Sequence, residues 1–255
     1  MSAAAFFDLD RTLLRRSSAL ALAGSFREHG VIGRRQLAKA AAWQLLFAAR
    51  GAGAETVRKA AEDGLIVLRG FRVDDLRMLV AGAMEPVLKP LVYSGPLELV
   101  ERHHQRGEPV FIVSATLQEI VEELARELGF DGAVGSTCEI VDGVYTGRSL
   151  RACHGAGKAA AIRELAAQEG FDLAASTAYS DSHTDLPFLE AVGRPMVVNP
   201  DRELRRIAVE RGWPVLEFTD LAYPPNVRRL HPALLGLPFV LGAGAAVWAA
   251  RRRAA

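Results

Sequence analysis

The sequence contains few cysteines and almost no net charge, and both absences exclude classes of protein. Its two cysteines, Cys138 and Cys153, do not have a spacing typical of a metal or redox site. We expect two buried thiols in a reducing cytoplasm, with one disulfide between them as the alternative. A formal net charge of +1 over 255 residues gives no field that would attract nucleic acid, so no such partner is expected. The N-terminus lacks the basic region and apolar run of a signal peptide, which predicts a cytoplasmic protein.

A series of short apolar runs is the main structural signal. Half of the residues are hydrophobic and 24% are charged, as in globular proteins. Runs that are apolar throughout are typical of parallel strands buried on both faces. Such runs occur at residues 3–7, 109–113, 176–179 and 195–198. The polar residues at or just beyond their ends are Asp8, Ser114, Asp181 and Asn199. Because the ligand crevice of an open α/β sheet lies beyond the carboxyl ends of its strands, we predict an α/β fold with one site there.

Helical and hairpin patterns separate these runs. Amphipathic helices are predicted over residues 97–106, 117–128, 158–168 and 201–211. Gly129 and Gly170 are the predicted helix stops, and Asp201 is a predicted N-cap. The alternating residues around Asp142-Gly143 predict a hairpin before the third helix.

The stretch from residue 15 to residue 89 contains no strand-like run. It is rich in Ala, Leu, Arg and Glu and is interrupted by glycines, which predicts several helices inserted after the first strand. The expected organisation is a core of residues 1–14 and 90–222, an inserted helical domain of residues 15–89, and a tail of residues 223–255.

The tail contains an uncharged segment, residues 233–250, with arginines on both sides. A membrane-spanning helix needs about 20 apolar residues, so this segment is near the lower limit. One interpretation is an anchor or interfacial segment that attaches the protein to the cytoplasmic face of a membrane. The other is an apolar tail packed on the protein itself or on a partner, because Pro238 and three glycines weaken a helix.

Asp8 and Asp10 follow the first run and are two residues apart. Like charges this close raise the pKa of at least one carboxyl group, a cost that a bound divalent cation removes. Mg²⁺ prefers carboxylate, water and phosphate oxygens. One carboxylate can then attack phosphorus and form an acyl phosphate, while the other transfers protons to the leaving alcohol and from water. The alternative is that the pair only caps or turns the backbone.

Residues at the other strand ends favour the same chemistry. Ser114 precedes a predicted helix, so its hydroxyl and nearby N–H groups can hold phosphate, or it acts only as an N-cap. Lys158 follows Gly155-Ala156-Gly157 at a helix start, where it can stabilise phosphoryl oxygens, or it is an ordinary surface lysine. Asp181 and Asp185 form a second acidic pair. Asp181 is the better metal ligand, and Asp185 is expected to orient it or a bound water.

Together these segments resemble the four motifs of the haloacid dehalogenase-like hydrolases. The residues that carry the resemblance are Asp8-Leu9-Asp10-Arg11-Thr12-Leu13, Ser114-Ala115-Thr116, Lys158 and Asp181-Ser182-His183-Thr184-Asp185. The resemblance covers residues 3–220. The helical insert after the first motif is similar to the C1-type cap of subfamily IB, the phosphoserine phosphatase-like group. A Rossmann-like core with a parallel sheet and this cap is therefore implied.

The resemblance also implies a role for each matching residue. Asp8 is implied as the nucleophile and Asp10 as the general acid and base. The implied Mg²⁺ ligands are the Asp8 side chain, the Asp10 carbonyl oxygen and the Asp181 side chain, with Asp185 orienting a ligand. The implied phosphate-binding groups are Ser114, the N–H group of Ala115 and Lys158.

The expected function is that of a Mg²⁺-dependent phosphatase, similar to phosphoserine phosphatase, that hydrolyses a small phosphate monoester through an aspartyl-phosphate intermediate. Two departures bear on the substrate. Residues 14–18 are basic where phosphoserine phosphatases carry an acidic residue, and Thr184 stands where the fourth motif usually has Asn. Arg11, Arg15 and Arg16 either favour a more anionic substrate or solvate the hinge of the insert, and we favour solvation.

Several alternatives stay open. A lysophospholipid, glycerophosphate or histidinol-phosphate type of substrate is one, and phosphoryl transfer to an acceptor other than water is another. The non-enzymatic alternatives are a receiver-type signalling domain and a protein that binds phospholigands without turnover. His103-His104 lies on a predicted helix without a third ligand, so we expect a solvated face there. The sequence indicates no oligomeric state.

Overall fold

The computed structural model describes residues 2–28, 30 and 68–223 of the chain. The strands in this part are β1 (Ala5–Phe7), β2 (Val110–Leu117), β3 (Gly132–Val141), β4 (Val144–Arg151), β5 (Thr177–Ser180), β6 (Arg194–Val198) and β7 (Val215–Leu216). The α-helices are α1 (Ser18–Glu28), α2 (Val73–Ala83), α3 (Ser94–Gln105), α4 (Gln118–Leu128), α5 (Ala156–Glu169), α6 (Leu186–Leu189) and α7 (Arg202–Arg211). A π-helical turn, Met84–Leu88, and a 3-10 turn, Lys89–Leu91, follow α2.

The strands form one seven-stranded sheet in the order β4-β3-β2-β1-β5-β6-β7. β1 lies at its centre, where Phe6 pairs in parallel with Phe111 of β2 and with Ala178 of β5. The first half of β3 pairs in parallel with β2, and its second half pairs antiparallel with β4. The predicted α/β fold with a mostly parallel sheet is confirmed, and the four predicted runs correspond to β1, β2, β5 and β6.

The central strand is buried on both faces. Phe7 lies in an apolar layer with residues of α1 to α4, whereas Phe6 lies in the layer formed with α5, α6 and α7. Successive side chains of a strand point to opposite faces, so these two neighbours anchor β1 in both layers. The Phe7 ring stacks on that of Tyr179 with centroids 4.2 Å apart. The position of the residue that follows β1 is therefore fixed from both sides.

The predicted hairpin is confirmed as β3 and β4. Asp142 and Gly143 have φ angles of 51° and 75°, the two left-handed residues that a type I′ turn requires. The hairpin also contacts the segment before α2. The Gly70 N–H group donates to the Tyr145 carbonyl at 2.9 Å, and the Val73 N–H group donates to the Gly143 carbonyl at 3.0 Å.

The helix ends follow the sequence signals. Gly129 and Gly170 are left-handed, with φ angles of 75° and 76°, and they end α4 and α5 as predicted. The Asp201 carboxylate accepts the Leu204 N–H group at 2.8 Å and caps α7. Cys138 and Cys153 are buried free thiols, as expected.

The described parts of the predicted insert are helical, namely α1, α2 and the two turns after α2. The domain boundaries stay predictions, because residues 31–67 lie outside the described residues. The predicted anchor at residues 233–250 also lies outside them. No helix of the described part of the chain is both long enough and apolar enough to cross a membrane.

Candidate active site

Asp8 lies directly beyond β1 and is buried. Its backbone N–H group donates to the Tyr179 carbonyl of β5 at 2.9 Å, which continues the pairing of the two strands. The Thr12 hydroxyl donates to Asp8 Oδ2 at 3.1 Å. Strand pairing thus fixes the backbone of Asp8, and the Thr12 hydroxyl holds Oδ2 of its carboxylate. The second carboxylate oxygen, Oδ1, can make contacts across the crevice.

Lys158 makes that contact. Its buried ammonium group donates to Asp8 Oδ1 and, at 2.6 Å, to Asp185 Oδ2. Asp185 Oδ2 also accepts the Ser180 hydroxyl at 2.7 Å. Lys158 lies in the first turn of α5, after Gly157. A Cβ atom at Gly157 would lie 2.1 Å from the Ala152 carbonyl oxygen, so only glycine allows the helix to begin here. The predicted cluster of Asp8, Lys158 and Asp185 is brought together in the structure.

Asp181 follows β5 and contacts Arg11 from the loop after β1. Arg11 Nε lies 3.1 Å from Asp181 Oδ2, and the arginine side chain is 60% exposed. Arg11 has a φ angle of 64°, a left-handed conformation that is uncommon for a residue with a side chain. Arg11 therefore pairs with an acidic residue of the site while most of its side chain stays exposed to solvent.

Burial and like charge act on the acidic groups of the site. Burial raises the pKa of Asp8, Lys158 opposes that shift, and the Asp185 charge adds to it. Burial and then the Asp8 charge raise the pKa of Asp181. Burial opposes the charge on Lys158, but Asp185 and Asp8 outweigh it and raise the lysine pKa.

The donor set suits a hard divalent cation. In the part of the chain that the structure describes, acidic side chains outnumber the cationic ones at the site, because three aspartates, Asp8, Asp181 and Asp185, pair with Lys158 and the exposed Arg11. Among the described residues, no three His, Cys, Asp or Glu side chains converge on a single point that could hold a metal ion. Mg²⁺ is commonly held by one or two carboxylates, with waters and phosphate oxygens completing the shell, so this arrangement fits it.

Asp10 has a different environment from Asp8. Its Oδ1 atom accepts the Ser18 N–H group at 2.8 Å, at the start of α1. The Ser18 hydroxyl lies 3.0 Å from Thr116 Oγ1. Burial raises the pKa of Asp10, and the hydrogen bonds from Ser18 oppose that shift. The carboxylate of Asp10 is thus held by the insert, whereas that of Asp8 is held by the core.

Ser114 is buried within β2 rather than at a helix start. Its hydroxyl oxygen accepts the Thr116 N–H group at 3.1 Å. The alternative that Ser114 acts only as an N-cap is wrong, because β2 continues to Leu117 and pairs there with Ser136 of β3 across a register shift. The helix predicted over residues 117–128 is found as α4, which begins at Gln118. Ala115 is exposed at this irregularity. An irregular strand therefore presents the second motif, and α4 begins only after it.

Sequence reasoning missed one residue that shapes the loop after β5. Asp201 was predicted only as an N-cap, but its Oδ2 atom also accepts the His183 N–H group at 2.9 Å and lies 2.9 Å from His183 Nδ1. The Asp201 N–H group donates to the Asp181 carbonyl at 2.8 Å. One aspartate thus joins the end of β6 to the loop that carries Asp181 and Asp185.

The expected solvated face at His103-His104 is wrong for His103, which is buried. Its Nδ1 atom lies 2.5 Å from Glu108 Oε2, and its Nε2 atom lies 2.8 Å from the Tyr179 hydroxyl. Burial lowers the pKa of His103, which favours the neutral ring. A helical pattern alone did not distinguish this buried position from the exposed His104.

The sequence matches the haloacid dehalogenase-like hydrolase family over residues 5–190. The chain belongs to this family. It is 40% identical over 267 residues to the "Inhibition of morphological differentiation protein" of Streptomyces azureus, covering 99% of this chain and 94% of that protein. It is 42% identical over 230 residues to a probable phosphatase of Mycobacterium tuberculosis, covering 90% of this chain and 79% of that protein. It is 37% identical over 253 residues to a phosphoserine phosphatase of the same organism, covering 96% and 78%.

Solved structures of this hydrolase family share the fold. A Bordetella pertussis protein of unknown function has a TM-score of 0.74 at 32% identity, covering 85% of this chain and 98% of that chain. A phosphoserine phosphatase in its apo form has a TM-score of 0.58 at 16% identity, covering 87% and 96%, which shows the fold alone. The predicted family and the prediction that the chain is an enzyme are confirmed.

Proposed function

We propose that this hydrolase is a Mg²⁺-dependent phosphatase that cleaves a small phosphate monoester through an aspartyl-phosphate on Asp8. The observation that carries the proposal is the buried contact of Lys158 with both Asp8 and Asp185. A lysine held between two carboxylates keeps Asp8 ionised despite its burial, as a nucleophile requires.

The contacts support a division of roles among the site residues. Asp8 attacks phosphorus, the bond from phosphorus to the leaving oxygen breaks, and an acyl phosphate forms on Asp8. Asp10 gives a proton to the leaving oxygen and later takes one from the water that hydrolyses the acyl phosphate. Its raised pKa suits a group that must hold a proton part of the time. Lys158, Ser114 and the Ala115 N–H group bind the phosphoryl oxygens in both steps.

Asp8, Asp181 and the Asp10 carbonyl oxygen are the groups that would hold Mg²⁺. When bound, the ion neutralises phosphate charge so that an anionic carboxylate can approach. Asp185 orients this set through Lys158 and Ser180, and Asp201 holds the loop that carries Asp181.

The named phosphatase relatives favour hydrolysis of small phosphate monoesters over binding without turnover. The cytoplasmic location and attachment of the tail to a membrane are further proposals. They are tested by fractionating cells that express the full chain or a chain lacking residues 228–255.

The catalytic proposal is tested with Asp8→Asn on a generic aryl phosphate. The amide has nearly the same shape but is not a nucleophile, so Mg²⁺-dependent phosphate release should fall at least about a thousandfold. Asp142→Asn is the matched control, because it makes the same change in the exposed turn between β3 and β4 and should keep full activity. Chelation of divalent cations should abolish activity, and Mg²⁺ should restore it. An active Asp8→Asn protein would overturn the proposal.

A further inference from the structure

The loop between β1 and α1 carries two arginines at the edge of the acidic crevice. The Arg11 guanidinium is 60% exposed while it contacts Asp181, so it faces both the site and solvent. Arg15 is also exposed, and its backbone N–H group donates to the Leu91 carbonyl at 2.8 Å, which fixes the start of its side chain. Both arginines are therefore attached to ordered backbone.

A backbone bridge between Asp10 and Leu14 places the residue before Arg15 beside Asp10 at the crevice, and Tyr93 pairs with the same loop. The tyrosine follows Leu91, and its N–H group donates to the Leu13 carbonyl at 2.9 Å. Burial raises the pKa of its hydroxyl, the Arg15 charge lowers it, and the Asp181 charge raises it.

Arg15 differs from most arginines of the structure in having no acidic partner. Many exposed arginines pair with a carboxylate, for example Arg77 with Glu122, Arg151 with Glu164 and Arg205 with Glu217. Within residues 2–28, 30 and 68–223, no carboxylate lies within ion-pair distance of Arg15. Among these residues its charge is therefore unpaired.

The backbone of Arg11 supports the same conclusion. Its φ angle of 64° would be accommodated with less strain by glycine or asparagine. Residues held in sparsely populated backbone conformations cluster at active sites and at positions that hold ligands. The side chain at this position has a use that glycine could not provide.

We propose that Arg11 and Arg15 bind a second anionic group, a carboxylate or a further phosphate, on the leaving group of the phosphate monoester. Guanidinium groups match the planar oxygens of carboxylates and phosphates and stay charged at all relevant pH values. They repel an ammonium group at the same place. This inference rests on the proposed phosphatase function and names the substrate class for it.

The test uses matched phosphate monoesters of hydroxypropanoate, propanediol and aminopropanol, which differ in the charge of a three-carbon leaving group. Propanediol bisphosphate is compared with the phosphate monoester of hydroxypropanoate to determine whether a second phosphate or a carboxylate is the preferred anion. The wild-type kcat/KM should be about tenfold higher for the anionic leaving groups than for the neutral one, and lowest for aminopropanol. The preference should weaken as salt is added, because the arginines are exposed.

Arg15→Gln should reduce this preference at least about threefold, mainly through KM, and Arg15→Lys should keep part of it. Arg163→Gln is the matched control, an exposed arginine on α5, and should keep the wild-type ratios. Equal kcat/KM values across the series, or an unchanged preference in Arg15→Gln, would overturn the inference. The phosphatase proposal would still be supported in that case if hydrolysis of the aryl phosphate depends on Asp8. Failure to hydrolyse the aryl phosphate would overturn both.

Discussion

Two buried tyrosines differ in what their hydroxyl groups contact. The Tyr179 hydroxyl lies 2.8 Å from His103 Nε2, whereas the Tyr145 hydroxyl has no hydrogen-bond partner among the described residues. The buried Glu119 Oε2 atom has no hydrogen-bond partner among these residues either. Burial and then the Glu119 charge raise the pKa of Tyr145, so its hydroxyl stays protonated. A buried polar group without a partner contributes no stability and keeps its desolvation penalty.

Removing the two hydroxyl groups should therefore have different effects. Tyr179→Phe should lower the free energy of unfolding by about 1 kcal/mol, because it leaves His103 Nε2 without its partner. Tyr145→Phe should leave that free energy unchanged or raise it. Urea denaturation of the two variants measures both effects. A larger loss in Tyr145→Phe than in Tyr179→Phe would contradict the difference described for the two hydroxyl groups.

His103 should make stability depend on pH. Burial lowers its pKa below the ordinary value of 6.5, so the unfolded chain takes up a proton at a higher pH than the folded protein does. Its contribution is fully present above that ordinary value and is lost as the pH falls through it. The free energy of unfolding should fall less between about pH 7.5 and about pH 5.5 in His103→Gln than in wild type. Equal slopes in the two proteins would show that the buried ring is not responsible.

At the scale of single residues, the sequence predicted which acids and which lysine meet, but not all of their partners. Asp8, Lys158 and Asp185 could be predicted because each stands at a strand or helix end, and those ends face one crevice. The Arg11 contact with Asp181 and the burial of His103 could not, because both depend on side chains from distant segments. Residue type and local spacing carry no information about such contacts.

Among the elements, the first turn of α5 depends on Gly157. Its backbone passes so close to the Ala152 carbonyl that a methyl group does not fit. Gly157→Ala should lower the free energy of unfolding by about 1–3 kcal/mol and lower kcat, because the shifted turn carries Lys158.

The matched control is Gly82→Ala in α2, where a Cβ atom would have no neighbour within 4 Å. It should raise the free energy of unfolding by about 0.5–1 kcal/mol, since alanine favours helix more than glycine does. Thermal denaturation and steady-state kinetics of both variants measure the two effects. Equal stability changes in the two variants would show that the close approach at Gly157 is not limiting.

Helices, strands and turns could be predicted where a few neighbouring residues specify them. Buried parallel strands, glycine helix stops and the Asp142-Gly143 turn are coded within a few residues, and all are found in the structure. The end of β2 is different, because its pairing with Ser136 of β3 carries it past the point where its apolar run stops. Pairing with β3 sets the end of β2, and the sequence of β2 alone does not specify which strand it pairs with.

At the scale of the whole molecule, the site is assembled at the centre of the sheet. β1 lies between β2 and β5, and each neighbour leads into one part of the site, Ser114 on one side and Asp181 on the other. The α/β architecture could be predicted because polar residues follow several apolar runs. The antiparallel pairing of β4 with β3 could also be predicted, from the hairpin turn. The order of the strands in the sheet could not, since no local pattern specifies it.

The central position of β1 has a consequence for the order in which the protein is made. The Ala4 N–H group bonds to the Ser176 hydroxyl across 172 residues of chain, and Lys158 contacts Asp8 across 150. A ribosome releases the N-terminal segment first, so β1 emerges long before β5 exists to pair with it. Until residues 177–180 have been synthesised, one edge of β1 and the face of Phe7 that Tyr179 covers stay open. A nascent fragment that ends before Asp185 lacks two of the acidic residues of the site, so the site forms only after the loop that follows β5 has been synthesised.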